Sequence, residues 1–420
     1  MRLTLQWSEI ETVRAGATTR VVGQALEVDL DELRALLDTD RRLQRVRIDL
    51  AHPGESCRIG RVFDVMAPRA KLDGGPDFPG VVGTLERAGS GLTRALANVA
   101  VVVTDQGLQG TGGLALIDMS GPAATLTEFA RTHNVVISAW PGAETGRSEY
   151  LAAVRLAGLK TAVYLARAAG DRAPDRVEVF DLPASTRVPA ASQHLPRVAY
   201  VFQIHSHQRP TGVDEGILYG DTIRRMLPTV VHPNEVLDGA VMRGFMGRSA
   251  TTYAIQNHPV IRALYSEHGR TLSFVGVVLT VAHATEPERV RSAAMAAGLV
   301  AEVLGADGAV FTKMGGGAPH VDMAQAAAQC EALGVKTTLI VEDMSTDGSS
   351  EGMLLFNFPG LDALVNVGST RETLTLPAVA RVLGADDLAL TLQGAVAVSY
   401  TDLCGAIEQI GASRSVAVVQ

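Results

Sequence analysis

Apolar residues along the chain fall into distinct patterns, and each pattern predicts a different element. Alternating apolar and polar positions mark short half-buried strands at Arg2–Trp7, Thr19–Val28, Arg45–Leu50 and Arg58–Met66. Between them, Asp31–Leu37 reads as a short helix capped by Asp29 or Asp31. Unbroken apolar runs at Val99–Thr104 and Val135–Ala139 instead predict strands covered on both faces, as in parallel sheets. In Tyr150–Arg167, Leu151, Val154, Leu159, Ala162 and Leu165 recur at near-helical spacing, which predicts an amphipathic helix.

The pattern fades over Ala168–Gln193, a stretch rich in Ala, Pro, Asp and Ser with room for one strand at Arg176–Phe180. It reads as a linker, and the domain boundary is placed there. Beyond it the alternation of elements is regular. Strands are expected at Arg197–Ile204, Leu272–Val281, Ala309–Lys313, Thr337–Glu342 and Leu361–Val367, with helices over Glu286–Leu304 and Asp322–Leu333. Strand and helix in turn, with short joints, predict right-handed βαβ units on a parallel sheet. The expected fold is α/β in two domains, 1–190 and 191–420, with largely parallel sheets flanked by helices. The first domain carries additional short strands.

Composition narrows the function classes. At 420 residues, 47% apolar and 20% charged, the chain has the profile of a soluble globular protein too long for one ordinary core. Its formal charge of −8, with no clustered basic stretch, argues against a nucleic-acid partner. No apolar segment has the length of a signal peptide core or a membrane span, so no membrane partner and a cytoplasmic location are expected. Cys57, Cys330 and Cys404 stand far apart without a CxxC pair, as suits a reducing compartment. A homo-oligomer is the default expectation for an enzyme of this kind.

In a parallel sheet, ligands bind beyond the carboxyl ends of the strands, and that rule selects candidate residues directly. His205-Ser206-His207 follows the first strand of the second half. Lys313, Gly315, Gly316, Gly317 and His320 follow the Ala309 strand, Glu342 and Asp343 end the Thr337 strand, and Arg371 lies past the Leu361 strand. His205 and His207, two apart on an extended chain, point the same way and form a half-site for Zn or Fe, which Glu342 and His320 are placed to complete. Without a metal they serve equally as acid and base, or simply as loop histidines. The triple glycine allows close backbone approach to a ligand, with a helix start nearby to favour an anion; no Walker or GxGxxG pattern accompanies it. Lys313 is either an anion clamp or Schiff-base lysine, or a solvated strand end.

Several runs carry a family resemblance. Ala51-His-Pro-Gly-Glu-Ser56, Phe78-Pro-Gly80, Gly89-Ser-Gly91, Ile117-Asp-Met-Ser-Gly-Pro122 and Ala157-Gly-Leu-Lys160 are collinear with Glu235-Val-Leu-Asp-Gly-Ala240, Asn257-His-Pro-Val-Ile261 and Leu304-Gly-Ala-Asp-Gly-Ala309. In this order they resemble component B of glycine/sarcosine/betaine reductase, over some four fifths of the chain, with the last 70 residues fitting poorly. The resemblance implies a proprotein that cleaves itself at an Asn–Cys bond. Its new terminus is a pyruvoyl group that forms a Schiff base with an amino substrate, and a selenoprotein partner then attacks. The corresponding segment here, Ala240–Tyr253, contains neither cysteine nor asparagine. Ser249 is an alternative pyruvoyl source; the expectation is an uncut chain without pyruvoyl and with a divalent metal. The expected function is an enzyme acting on a C–N or similar polar bond of a small amino or carboxylate compound. His320, Asp343 or Glu235 would move protons, and Lys313 or Arg371 would hold a carboxylate. A subunit relying on a partner's thiol or selenol, or a non-catalytic ligand-binding scaffold, are the alternatives.

Overall fold

The computed structural model describes the chain apart from residues 109–113, 184–193, 207–214, 224–225, 245–249, 346–351, 353–360, 413–415 and 420. It is a mixed α/β protein of several sheets. Of the expected linker, residues 184–193 lie outside the described residues, while its one strand forms at Arg176–Asp181 and pairs with Arg2–Glu9.

In the first half, Leu43–Ala51, His133–Pro141, Val99–Asp105 and Val62–Met66 lie in that order across one sheet. Only the two apolar-run strands pair in parallel; their outer neighbours are antiparallel. The unbroken apolar runs are explained by burial on both faces rather than by an all-parallel sheet. Val99, Val101 and Val103 enter one core with the helix Arg147–Arg167, while Ala100 and Val102 enter another with Cys57 and Phe129. The expected strand Arg58–Met66 is broken at Gly60–Arg61, where Arg61 takes φ +52, and its pieces join different sheets. Thr19–Val28 folds back at Gly23 into two short strands, since φ +60 there suits a glycine turn. The short helix is Leu30–Leu37, and Asp29 caps it, accepting from the N–H groups of Asp31 and Glu32.

A seven-stranded sheet organises the second half, in the order Thr229–Val231, Ser273–Ala282, Arg197–Ser206, Gly308–Thr312, Lys336–Asp343, Ala363–Ser369, Val416–Val419. The five central strands are parallel and the two edge strands antiparallel. One face packs on the helices Glu286–Gly298 and Ala318–Ala332. Tyr200, Phe202 and Leu279 pack on the other face against Pro259–Glu267 and residues such as Leu3 and Trp7. The helix expected to end at Leu304 is α-helical only to Gly298 and closes in a π turn, Leu299–Val303. The last part of the chain returns to the first half, where Arg381–Leu383 pairs in parallel with Cys57–Ile59. Among the described residues no helix is long and apolar enough to cross a membrane.

Candidate active site

Numbered along the chain, the five parallel strands lie 2-1-3-4-5, so the winding reverses between Arg197–Ser206 and Gly308–Thr312. At such a reversal the connections leave on opposite faces and open a crevice beyond the carboxyl ends of the strands. Lys313 is the first residue past the Gly308–Thr312 strand and is fully buried. Its Nζ donates to the Gly315 carbonyl at 2.9 Å and to the Glu342 carboxylate on the neighbouring strand. Burial pulls the lysine pKa down, and the adjoining Glu342 charge opposes that shift. His320, also fully buried, stands with Nε2 3.8 Å from Glu342 Oε2. Burial and the Lys313 charge drive its pKa to about 2, so the ring is neutral. Neither ring nitrogen has a hydrogen-bond partner among the described residues.

The glycine loop closes over this group. Gly315 and Gly317 take φ +95 and +81, and a Cβ on Gly316 would sit 3.7 Å from Glu342 Oε1. The helix that follows starts at Ala318, four residues earlier than its apolar pattern suggests, because Pro319 fits a first turn. From the last part of the chain, Gln409 accepts the Gly315 N–H at 2.8 Å. Lysine, carboxylate and neutral imidazole thus meet out of water, an arrangement suited to holding and passing a proton.

His205 goes elsewhere. A register shift between Gln203 and His205 inserts Ile204 as an extra residue, and such bulges re-aim the side chains beside them. A Cβ on Gly244 would lie 2.8 Å from His205 Nδ1 and 2.9 Å from Glu215 Oε2, so ring and carboxylate both press on Gly244. His207 lies outside the described residues. Among the described residues no group of three or more His, Cys, Asp or Glu side chains could hold a metal ion. The expected set of His205, Glu342 and His320 is therefore not assembled: the bulge turns His205 toward Gly244, and Glu342 is neutralised by Lys313.

The other candidates are scattered. Asp343 accepts from the N–H and hydroxyl of Ser345 at 2.8 and 2.6 Å, and Arg371 is exposed. Glu235 accepts from the Tyr219 hydroxyl at 2.6 Å, the His232 N–H at 2.9 Å and Arg87 at 3.0 Å, none of them part of the Lys313 group.

Gly244 belongs to the segment Ala240–Tyr253, whose flanks are firmly held. Asp238, just ahead of it, accepts from Lys71 at 2.8 Å, Gly89 N–H at 2.8 Å and Thr93 at 3.0 Å. Buried Asp64 accepts from the N–H and hydroxyl of Thr252 at 2.9 and 2.6 Å, and Arg155 donates to the Arg243 carbonyl. Lys71 and Lys313 are two of only four lysines in the chain, and both bond buried carboxylates. That scarcity was a usable signal; the roles of Glu215, Asp64 and Gln409 left none in their local sequence.

Comparison with known proteins decides the family. The family model for glycine/sarcosine/betaine reductase component B subunits matches residues 1–410. The chain belongs to that family. It is 31% identical over 434 residues to the "Glycine reductase complex component B subunits alpha and beta" of Acetoanaerobium sticklandii, covering 99% of both chains. It is 34% identical to the "Sarcosine reductase complex component B subunit alpha" of Peptoclostridium acidaminophilum, over 94% of this chain and 92% of that one. To the betaine counterpart from the same organism it is 33% identical, over 91% and 88%. No solved structure matches. The similarity reaches far into the last 70 residues, correcting the expectation that they fit poorly. Those residues supply Gln409 to the glycine loop and the strand that pairs with Cys57–Ile59. In this component B fold, Gly244 of the segment expected to carry the cleavage site lies against the end of a switch-point strand.

Proposed function

We propose that this chain is a component B-type subunit of a reductase complex, working as one uncut polypeptide without a pyruvoyl group on the C–N bond of a small amino carboxylate. The relatives are named for glycine, sarcosine and betaine, each a carboxylate next to a cationic nitrogen. The observation that carries the reading is the buried Lys313–Glu342 pair, with His320 beside it, under the glycine loop of the switch point. Reductive opening of a C–N bond takes up two electrons and two protons: the carbon receives one proton, and the amine, which leaves a cationic nitrogen as a neutral base, takes the other once the bond has broken. Lys313, its ammonium hydrogen-bonded to Glu342 out of water, is the donor in this reading, and neutral His320 keeps a second positive charge from the pocket.

The electrons come from a partner's thiol or selenol. The chain's own cysteines are poor donors, because the thiolate is the reactive form. Burial pushes the Cys57 and Cys330 thiols up to about 11 and about 12, and burial with Glu408 nearby pushes Cys404 up as well. A metal-assisted route is the second reading, favoured by the convergence of His205 Nδ1 and Glu215 Oε2 on Gly244.

Intact-mass spectrometry with metal quantitation tests both. One species at the 44.2 kDa of the whole chain is expected. Two fragments, the second blocked by a keto-acyl end, would sink the uncut, pyruvoyl-free reading. About one metal per chain, lost in His205→Ala, would favour the metal route over Lys313. In the reconstituted complex, Lys313→Met should lower turnover roughly 100-fold or more.

A further inference from the structure

The helix Glu286–Gly298 and the π turn Leu299–Val303 that continues it cover one face of the seven-stranded sheet. Ser292, Ala293, Ala296, Ala297 and Val300 are its buried, inward positions. The outward positions come in doublets four apart: Val290 and Arg291, Ala294 and Met295, Gly298 and Leu299, Glu302 and Val303. Residues four apart on a helix adjoin, so the doublets form one continuous face. The outward side of a helix on a sheet is ordinarily polar or charged, yet six of these eight residues are apolar. Val290, Met295 and Val303 are 48%, 36% and 56% exposed, so the face is open to solvent. Water satisfies the charges of Arg291 and Glu302 but not the apolar groups between them.

Nothing inside the chain requires the glycine at Gly298. Its φ of −61 and ψ of −41 are ordinary helix, and a Cβ on it would have nothing within 4 Å. Glycine at such a place costs about 1 kcal/mol against alanine. What it offers is room for another molecule's side chain to come close to the helix backbone. Glu302 is out of place by local rules too, since it lies in the last turn, where the helix dipole disfavours a negative charge. Neither Glu302 nor Arg291 makes an ion pair with another described residue.

The order of the residues points to the occupant. About the midpoint between Ala296 and Ala297, the doublets on one side mirror those on the other. When a second copy is laid antiparallel on this face about a two-fold axis there, Arg291 comes level with the partner's Glu302. Met295 comes level with the partner's Gly298, Ala294 with the partner's Leu299, and Val290 with the partner's Val303. Opposite charges meet at both ends, and between them the long Met295 side chain fills the room that glycine leaves. Every contact is made twice. An unrelated partner would not require one helix face to match itself in both charge and size. We infer that this face is a two-fold contact between two copies of the chain. The inference is independent of the chemistry proposed at Lys313.

Sedimentation equilibrium of the full chain tests it. The wild type should show twice the 44.2 kDa mass of one chain. Arg291→Glu and Glu302→Arg each set like charges against one another at both ends, and each should weaken the dimer about tenfold or more. The double variant restores both pairs with their signs exchanged and should return to within about threefold of the wild type. Gly298→Leu, whose Cβ meets nothing in its own chain, should keep native circular dichroism and weaken the dimer by about tenfold as well. A wild type that stays monomeric up to about 100 μM overturns the contact. So does a dimer of unchanged affinity in both single charge reversals, or a double variant no tighter than either of them.

Discussion

Lys313 and Glu342 are both out of water, where an isolated ion costs several kcal/mol and a well-made pair about breaks even. Breaking the pair from one side is therefore the severe change. Lys313→Met or Glu342→Leu alone should each cost about 3–5 kcal/mol in urea unfolding, while the double variant recovers much of the loss. Turnover should stay lost in all three, which separates chemistry from stability. His258 gives a pH prediction. It is fully buried, its Nε2 lies 3.0 Å from the Tyr200 hydroxyl, and burial drives its pKa to about 3. The unfolded value is near 6.5, so the unfolded chain binds the extra proton first. Its contribution is full above about pH 6.5 and is lost as pH falls toward 3, with a limiting slope of about 1.4 kcal/mol per pH unit. Unfolding free energy should drop between pH 7.5 and 5.5, and His258→Asn should flatten that drop. An equal slope in the variant would show that other groups cause it.

At the scale of elements, close contacts decide more than propensity. Gly158 sits inside the helix Arg147–Arg167, where alanine is the better helix former by about 1 kcal/mol. A Cβ there would meet Met66 Sδ at 2.7 Å and Val103 Cγ1 at 2.8 Å, and overpacking of this kind costs about 1–3 kcal/mol. Gly158→Ala should thus be destabilising by up to about 2 kcal/mol, a sign that thermal unfolding reads directly. The bulge at Ile204 works the same way, through placement. Gly244→Ala should displace His205 or Glu215 and reduce activity more than stability. A variant as active as the wild type would show that the ring's position against Gly244 has no bearing on turnover.

Across the whole molecule, the last part of the chain is bound to the first half by Arg58. That side chain is fully buried, pairs with both oxygens of Asp118 at 2.6 and 3.0 Å, and donates to the carbonyls of Pro377, Leu392 and Gly394. Arg58→Met leaves Asp118 as an uncompensated buried charge and frees three carbonyls, so it should cost about 3–5 kcal/mol. It should also expose residues 377–394 to limited proteolysis before the rest of the chain. Uniform digestion of variant and wild type would remove Arg58 from that role.

Hydrophobic period alone determined the central strands of both halves and the helices Leu30–Leu37, Arg147–Arg167, Glu286–Gly298 and Ala318–Ala332, because each records which of its own faces is buried; it left Gly91–Ala97 and Pro259–Glu267 unread. Strand alternation in the second half likewise led to the carboxyl edge, and thus to Lys313, Glu342, His320 and the glycines. The ordered motifs led to the family. What the period could not carry was any choice made by a distant partner. Whether Val99–Thr104 has parallel neighbours, whether His205 keeps step with the strand beside it, and whether Gln409 reaches Gly315 all depend on residues far away in sequence. Tertiary structure settled these, since register and buried pairing are properties of two segments at once and neither segment holds them by itself.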